Sequence, residues 1–492
     1  MLSNLLVQSK NPFIAVTGRI KLWLEKPYKI NPVSCTGVVV EDSYFEVDGD
    51  YDFLETIAGS RVFAHMALKG NAGCAIDLTK IRPKWIDNGQ GIVSQGVENF
   101  LAMYSQVNAE TRRGSLDYRN GAINLYLDST HPDIFDFLNF PKSSIPWAKR
   151  SIYIGQEIFS PENEKLRKLV IQKLASGDIF LAKRRWDVHG ERLYTQVCTE
   201  IYFKSRSTCN LAHVNLGQIR KVKDIVPAFV DTMIFLCGVW ESIDHTKTPY
   251  RNQSEDAQVG LGVIGLANML SNFHVTYTEF VGALQSVLDL EVKYDTSIKA
   301  LMVASEILEA FRHAGTVAKS YGLERAFCIA PTATSAFNHT DYNGFTTTAE
   351  ISPPVAHPLT KKLVRVSDSG SEEYQYPDNV EIAGVDVTFE VYFDLCCAWQ
   401  QLMDIEGLAH AISFNVWDTA VVDEKFLQTW LDSPLYTTYY RWVVQQSAQD
   451  KTSLQGLEVS QEDEEFWTVD EDEETEFVSV CNMNKECTEC AA

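Results

Sequence analysis

From Ser34 onward, short β-branched runs alternate with stretches of helical apolar spacing, and no other feature limits the fold as strongly. Ser34-Cys35-Thr36-Gly37-Val38-Val39-Val40 leads into a buried strand. The span 51–68 carries Leu54, Ala58, Val62 and Met66 at helical spacing, and Ala72-Gly73-Cys74-Ala75-Ile76-Asp77 is strand-like again. A helix over 96–107, a loop entering a strand over 119–127, and a short helix opened by His131-Pro132-Asp133 follow. Helices are expected over 160–177 and 222–242. Gly260-Leu261-Gly262-Val263-Ile264-Gly265 then leads into one long helical stretch to about Tyr321, and a hairpin-like segment runs on to Pro354. The spans 386–402 and 433–446 supply a last helix and strand. This order predicts an α/β fold with mostly parallel strands. Pattern alone leaves a barrel and an open sheet both standing.

At 492 residues, 45% of them hydrophobic, the chain can bury a large core. No apolar run approaches the roughly 18 residues of a membrane span, and the start lacks the basic flank and apolar stretch of a signal peptide. A cytoplasmic location is the expected default. A formal charge of −23 argues against a surface that coats nucleic acid. Eleven acidic residues and no basic one lie between Glu458 and Glu476, so much of that charge is local. Such a segment repels itself and offers little apolar area. The expected organisation is a short N-terminal segment, 1–33, a catalytic body, 34–455, and a flexible acidic tail, 456–492, ending in Cys481, Cys487 and Cys490.

Eleven cysteines in a long chain of this type are expected to be free thiols. Cys237, Cys396 and Cys397 sit in apolar runs and read as packing residues. Cys198 and Glu200 are one residue apart, so in an extended segment they would share a face with Gln196. A thiyl radical there could take a hydrogen atom from a ribose carbon while the carboxylate accepts the hydroxyl proton. The same letters also describe a buried cysteine beside a salt-bridged glutamate. Cys35 and Cys209 each border an expected strand; adjacent strands would bring them within the ~7 Å a disulfide needs, and otherwise they are two unrelated thiols. Cys487-Thr488-Glu489-Cys490 has redox spacing. Zinc would want four ligands, and the tail offers three cysteines and no histidine, so a tethered dithiol shuttle fits better. Pro331-Thr332-Ala333-Thr334-Ser335 sets three hydroxyls close together, as a phosphate-holding turn does. Tyr439-Tyr440 is an adjacent aromatic pair.

Taken in chain order, these motifs resemble the catalytic subunit of class I ribonucleotide reductases over roughly 34–492. Arg119-Asn120-Gly121-Ala122, Val214-Asn215-Leu216-Gly217 and Gly262-Val263-Ile264-Gly265-Leu266-Ala267 belong to the same series. The resemblance implies a ten-stranded α/β barrel of two five-stranded half-sheets with Cys198 on a central finger loop. It implies reduction of ribonucleoside di- or triphosphates to 2′-deoxyribonucleotides. Cys198 then corresponds to the thiyl-radical site, Glu200 to the base at the 3′-hydroxyl, and Cys35 with Cys209 to the pair that reduces the 2′ position. Gln196 stands where the family usually has asparagine. Ser34, Ala72 and Gly73 resemble substrate-lining positions, and Pro331, Thr332, Ala333, Thr334 and Ser335 the phosphate loop. Tyr439 and Tyr440 resemble a relay from a separate, ferritin-like, metal-containing subunit that supplies the radical. No cofactor or metal is expected in this chain. Cys487 and Cys490 would re-reduce the Cys35–Cys209 pair and be recharged by thioredoxin or glutaredoxin. Asp42 and Arg119 resemble pieces of the specificity-effector region. The 34 residues before Cys35 are too few for the regulatory ATP-cone of many relatives, and dimerisation stays open. Three other readings stand beside this one: an adenosylcobalamin-dependent class II reductase, an inactive regulatory paralogue, and a plain thiol oxidoreductase using the tail dithiol.

Overall fold

The computed structural model describes residues 2–26, 32–45, 52–89, 91–111, 121–243, 248–367 and 370–439. Its strands are β1 (Ile14–Val16), β2 (Cys35–Val39), β3 (Gly73–Asp77), β4 (Ile123–Asp128), β5 (Ala148–Ile154), β6 (Phe180–Lys183), β7 (Arg185–Trp186), β8 (Arg192–Thr195) and β9 (Tyr202–Phe203). They continue with β10 (Thr208–Cys209), β11 (Leu211–Asn215), β12 (Gln258–Ile264), β13 (Arg325–Ile329), β14 (Lys362–Ser367), β15 (Gly370–Gln375) and β16 (Ala409–Ile412). The fold is mixed α/β with strongly curled sheets. Strands β2 to β6 run parallel in order, and β10 adds antiparallel to β2. A second sheet has the order β1-β11-β12-β13-β16, parallel except for β1.

Two five-stranded half-sheets were expected, and the sheets instead hold six and five strands. The cause is one run of chain that serves both. Thr208 and Cys209 pair with β2, and after Asn210 the chain continues as β11 against β12. At the opposite margin, Thr437 bridges antiparallel to Ala182 of β6, and Thr438 bridges parallel to Phe414 beyond β16. The two curled sheets therefore meet along two seams.

Parallel strands covered on both faces read as continuous apolar runs, and the burial follows that rule. One face of each sheet joins the large helix-packed core, with Val38, Ile76, Leu125, Ile152, Leu261 and Phe327 among its members. The other face builds a second, smaller cluster from Cys35, Ala75, Tyr126, Tyr153, Phe180, Val197, Cys198, Cys209, Cys328 and Tyr439.

The single helical stretch expected to Tyr321 is three helices, Leu266–Phe273, Tyr277–Val287 and Ile298–Ser320. His274, at φ 51°, closes the first, and Thr276 with Glu279 forms a capping box on the second. The Ser297 side chain accepts from the Ala300 N–H to start the third. These local stop and start signals overrode the apolar periodicity. The hairpin-like segment begins with a short helix, Ala333–Phe337, and keeps one bridge, Thr340 to Thr346. The hairpin β14–β15, strand β16 and helix Glu424–Asp432 were not anticipated. Among the described residues no helix is long and apolar enough to cross a membrane.

Gly260 shows how little room the inner face has. A Cβ there would lie 2.3 Å from Leu211 Cδ2, 2.8 Å from Cys328 Sγ and 3.0 Å from Ile201 Cδ1. Gly260→Ala should therefore cost about 1–3 kcal/mol by overpacking and lower the melting temperature in a thermal scan. Gly18→Ala, with nothing within 4 Å of the added carbon, should leave it unchanged.

Candidate active site

Strands β8 and β9 form a hairpin whose tip, 196–201, points into the smaller cluster. The tip was expected to be extended, and it is a tight turn. The Gln196 N–H donates to the Ile201 carbonyl at 3.1 Å and the Thr199 N–H to the Gln196 carbonyl at 3.2 Å. The Cys198 N–H donates to Gln196 Oε1 at 3.0 Å. Thr199 takes φ 71°, a costly conformation for a β-branched residue that persists only when its surroundings over-determine it.

Those surroundings are hydrogen bonds from both sheets. On the first sheet, Asn124 Nδ2 donates to the Val197 carbonyl at 3.0 Å, the Tyr126 hydroxyl to the Gln196 carbonyl at 2.8 Å, and the Thr195 N–H to the Tyr153 hydroxyl at 2.9 Å. On the second, the Ala411 N–H donates to the Glu200 carbonyl at 2.8 Å, and the Ser413 hydroxyl donates to the Cys198 carbonyl. Farther down the hairpin, Asp128 at the end of β4 binds Arg184 through Nε at 2.8 Å and Nη2 at 2.6 Å, and Arg192 of β8 at 2.8 Å. Burial alone would raise the Asp128 carboxyl, but the hydrogen bond and charge of Arg184 hold it well below the usual carboxylate range.

Cys35 and Cys209 stand directly opposite each other across the β2–β10 seam. Antiparallel partners have Cα atoms ~4.5–5.5 Å apart, inside the span a disulfide uses. Neither they nor Cys198 are joined in a disulfide. All three belong to the one inner cluster, where Cys198 and Cys209 have no exposed surface. Gly73 permits the approach: a Cβ on it would sit 3.2 Å from Cys35 Sγ and 3.1 Å from Val197 Cγ2. Burial pushes the Cys209 thiol up, and Cys35, Glu200 and Cys328 add to the shift. Cys209 therefore holds its proton at neutral pH. Glu200 is buried at 1% exposure, and Gln196 Nε2 has no hydrogen-bond partner among the described residues.

The other expected positions divide. Ser34 is buried, its N–H donates to the Cys209 carbonyl at 3.2 Å, and its hydroxyl has no partner among the described residues. Ala72 packs with the large core instead of the inner cluster. Pro331 follows β13, and Thr332 is latched to Glu350: its N–H donates to Glu350 Oε1 at 2.8 Å, and its hydroxyl accepts from the Glu350 N–H at 2.9 Å. Ala333 and Ser335 are buried, and the Thr334 hydroxyl is buried without a partner among the described residues. Tyr439 lies in the inner cluster with its ring 4.8 Å from that of Phe180. Lys149 Nζ donates to its hydroxyl at 2.9 Å. Asp42 pairs with Arg82, away from the thiols. Arg119, Tyr440, Cys487 and Cys490 lie outside the described residues.

Several contributors escaped the sequence reading. Asn124, Tyr126 and Asp128 alternate with Ile123, Leu125 and Leu127, a period-two pattern that marks polar groups on an inward face. Lys149 and Arg184 carried no local signal, because their partners lie far along the chain.

Curled, mostly parallel sheets enclose an interior cluster that holds Cys35, Cys198, Cys209 and Cys328 together. The family model described as ribonucleotide reductase, barrel domain, matches residues 33–150 and 187–306. These two segments thus match the barrel domain of the ribonucleotide reductase large subunit. A solved structure of the Actinobacillus ureae class Id ribonucleotide reductase alpha subunit is similar, with a TM-score of 0.58 at 18% identity, covering 87% of this chain and 87% of that one. That likeness is one of fold. No curated protein sequence matches this chain.

Asp128→Asn should leave Arg184 and Arg192 short of their counter-charge and destabilise the hairpin by about 3 kcal/mol. A depressed carboxyl contributes stability above its unfolded value, ~3.9, and loses it as pH falls further. The melting-temperature gap between wild type and Asp128→Asn should therefore be constant from pH 5 to 8 and close below pH 4.

Proposed function

We propose that this chain reduces ribonucleotides to 2′-deoxyribonucleotides by thiyl-radical chemistry. The observation that carries the reading is the register of Cys35 against Cys209 within the same buried cluster as Cys198. In this reading the strands β2 to β6, with the run 208–215, β12, β13, β16 and the segment at 437–438, are the two halves of a ten-stranded barrel. The hairpin tip is its finger loop.

Cys198, as a thiyl radical, takes the hydrogen atom from C3′ of the ribose, and Glu200 accepts the 3′-hydroxyl proton. The 2′-hydroxyl leaves as water with a proton from the Cys35–Cys209 pair. That pair supplies two electrons and becomes a disulfide, and Cys198 returns its hydrogen to C3′. The sum is ribonucleotide plus dithiol giving deoxyribonucleotide, disulfide and water. The raised pKa of Cys209 suits this role, because hydrogen donation requires S–H and not the thiolate that nucleophilic attack uses. Gln196 offers its free Nε2–H to the sugar. Gly73, with no side chain, leaves space beside Cys35, and Ser34 brings an uncommitted hydroxyl.

Tyr439, beside Lys149 in the inner cluster, would pass a radical equivalent onward to Cys198. A separate metal-containing, ferritin-like subunit would deliver that equivalent, with Tyr440 as the preceding step. The terminal pair Cys487 and Cys490 would regenerate the dithiol and be recharged by thioredoxin or glutaredoxin. The Tyr439-Tyr440 pair favours this class I scheme over adenosylcobalamin.

Deoxyribonucleotide formation from di- and triphosphates, with a candidate radical-generating subunit or with adenosylcobalamin, tests the reading. Turnover should require the protein subunit. Cys198→Ser and Glu200→Ala should each lose at least about a hundredfold in kcat. Cys487→Ser should complete one turnover and then stall. Product formation by the Cys198→Ser protein at the wild-type rate would sink the scheme.

A further inference from the structure

The residues before β2 build one wall of a cavity. Helix Leu2–Gln8 leads through Lys10 to β1, which pairs with β11, and helix Gly18–Glu25 follows. Between this segment and the chain after β13 lies a cavity of about 580 Å³, the size range of small-ligand sites. Lys10 and Lys21 line it together with Thr334 and Ser335, and Glu25 and His339 are also on its walls.

Three observations point to an anion. Neither lysine makes an ion pair among the described residues, although the chain carries a net charge of −23 and acidic partners abound. The Thr334 hydroxyl is buried with no hydrogen-bond partner among the described residues. His339 donates its Nδ1–H to the Ser335 carbonyl at 2.7 Å, which braces the wall, and burial lowers its pKa so that it stays neutral. Glu25 opposes an anion, so the local balance is two positive charges against one.

The cavity is tied to the thiol centre by β13. Cys328 and Ala330 belong to the inner cluster with Cys35 and Cys209, and Thr334 comes four residues after Ala330. Four residues span at most ~14 Å, within reach of a nucleotide's phosphate tail when its sugar lies at the cysteines. We propose that Lys10 and Lys21 bind the terminal phosphates of the ribonucleotide. The segment before β2 is then part of the substrate site, supplying the formal positive charge that the hydroxyl loop lacks. This rests on the reductase reading for the identity of the ligand, and on the cavity alone for the anion.

Equilibrium binding of ADP, ATP, adenosine and inorganic pyrophosphate to the full chain tests it without a radical source. Lys10→Ala and Lys21→Ala should each weaken ADP and ATP about tenfold, as loss of one charge-assisted phosphate contact does. The double variant should lose about a hundredfold, and Lys21→Arg should recover most of the loss. Adenosine affinity and the melting temperature should stay at wild-type values. Unchanged ADP and ATP affinity in the well-folded double variant overturns the proposal. Lysine-dependent pyrophosphate binding, with ADP and ATP binding no tighter than pyrophosphate, overturns the assignment to the substrate's tail and leaves only an anion site. ADP binding that ignores the lysines while Cys198→Ser abolishes reduction refutes the lysines' role and spares the reductase reading.

Discussion

One antiparallel contact holds the rest together. Where β10 pairs with β2, a single run of chain leaves one curled sheet and enters the other, so each sheet's curvature is braced by its partner. Register decides which side chains meet at that seam. Antiparallel pairing puts Cys209 opposite Cys35, and a slip of one residue would turn one of the two thiols to the other face. Side-chain crowding on the inner face, seen around Gly37, Gly73 and Gly260, makes such a slip costly.

The hairpin tip depends on that enclosure. Its turn is strained at Thr199, and few of its bonds are internal. Most come from Asn124, Tyr126 and Tyr153 on one sheet and from Ala411 and Ser413 on the other. The loop therefore has its shape only when both sheets are in place. Asp128 adds an electrostatic clamp at the hairpin's base, and its low pKa records how strongly the folded protein favours the charged form. The interior above the clamp is apolar enough to keep the Cys209 and Cys328 thiols protonated. Charge at the base and an apolar, thiol-bearing cluster at the tip are two sides of one separation.

Much of the strand–helix order was legible because parallel strands buried on both faces leave unmistakable apolar runs. β2, β3 and the helices Ile57–Lys69 and Ile225–Glu241 lie close to where periodicity places them. The long helical stretch failed at His274 and Ser297, where capping chemistry outweighs periodicity. Cys198 and Glu200 stood out in the sequence, yet the reason for their neighbourhood did not. Same-face alternation along an extended strand was the expected device, and a turn held from outside is the observed one. Ala72 went the other way: a small residue next to Gly73, it packs into the large core because alternation turns it away from the thiols.

By itself, the sequence determined which residue types are available: thiols in β-rich runs, an acid one residue from a cysteine, a hydroxyl-rich turn, and a strongly acidic end. It also determined the α/β class, since apolar periodicity is a local property of the chain. The tertiary structure alone decided which thiols meet, that residues 208–215 join two sheets, and that Lys149 reaches Tyr439. It alone brought Lys10 and Lys21 to Thr334. Those pairings join residues separated by 49 to 324 positions. Long-range packing selects them, and local propensity carries no record of it.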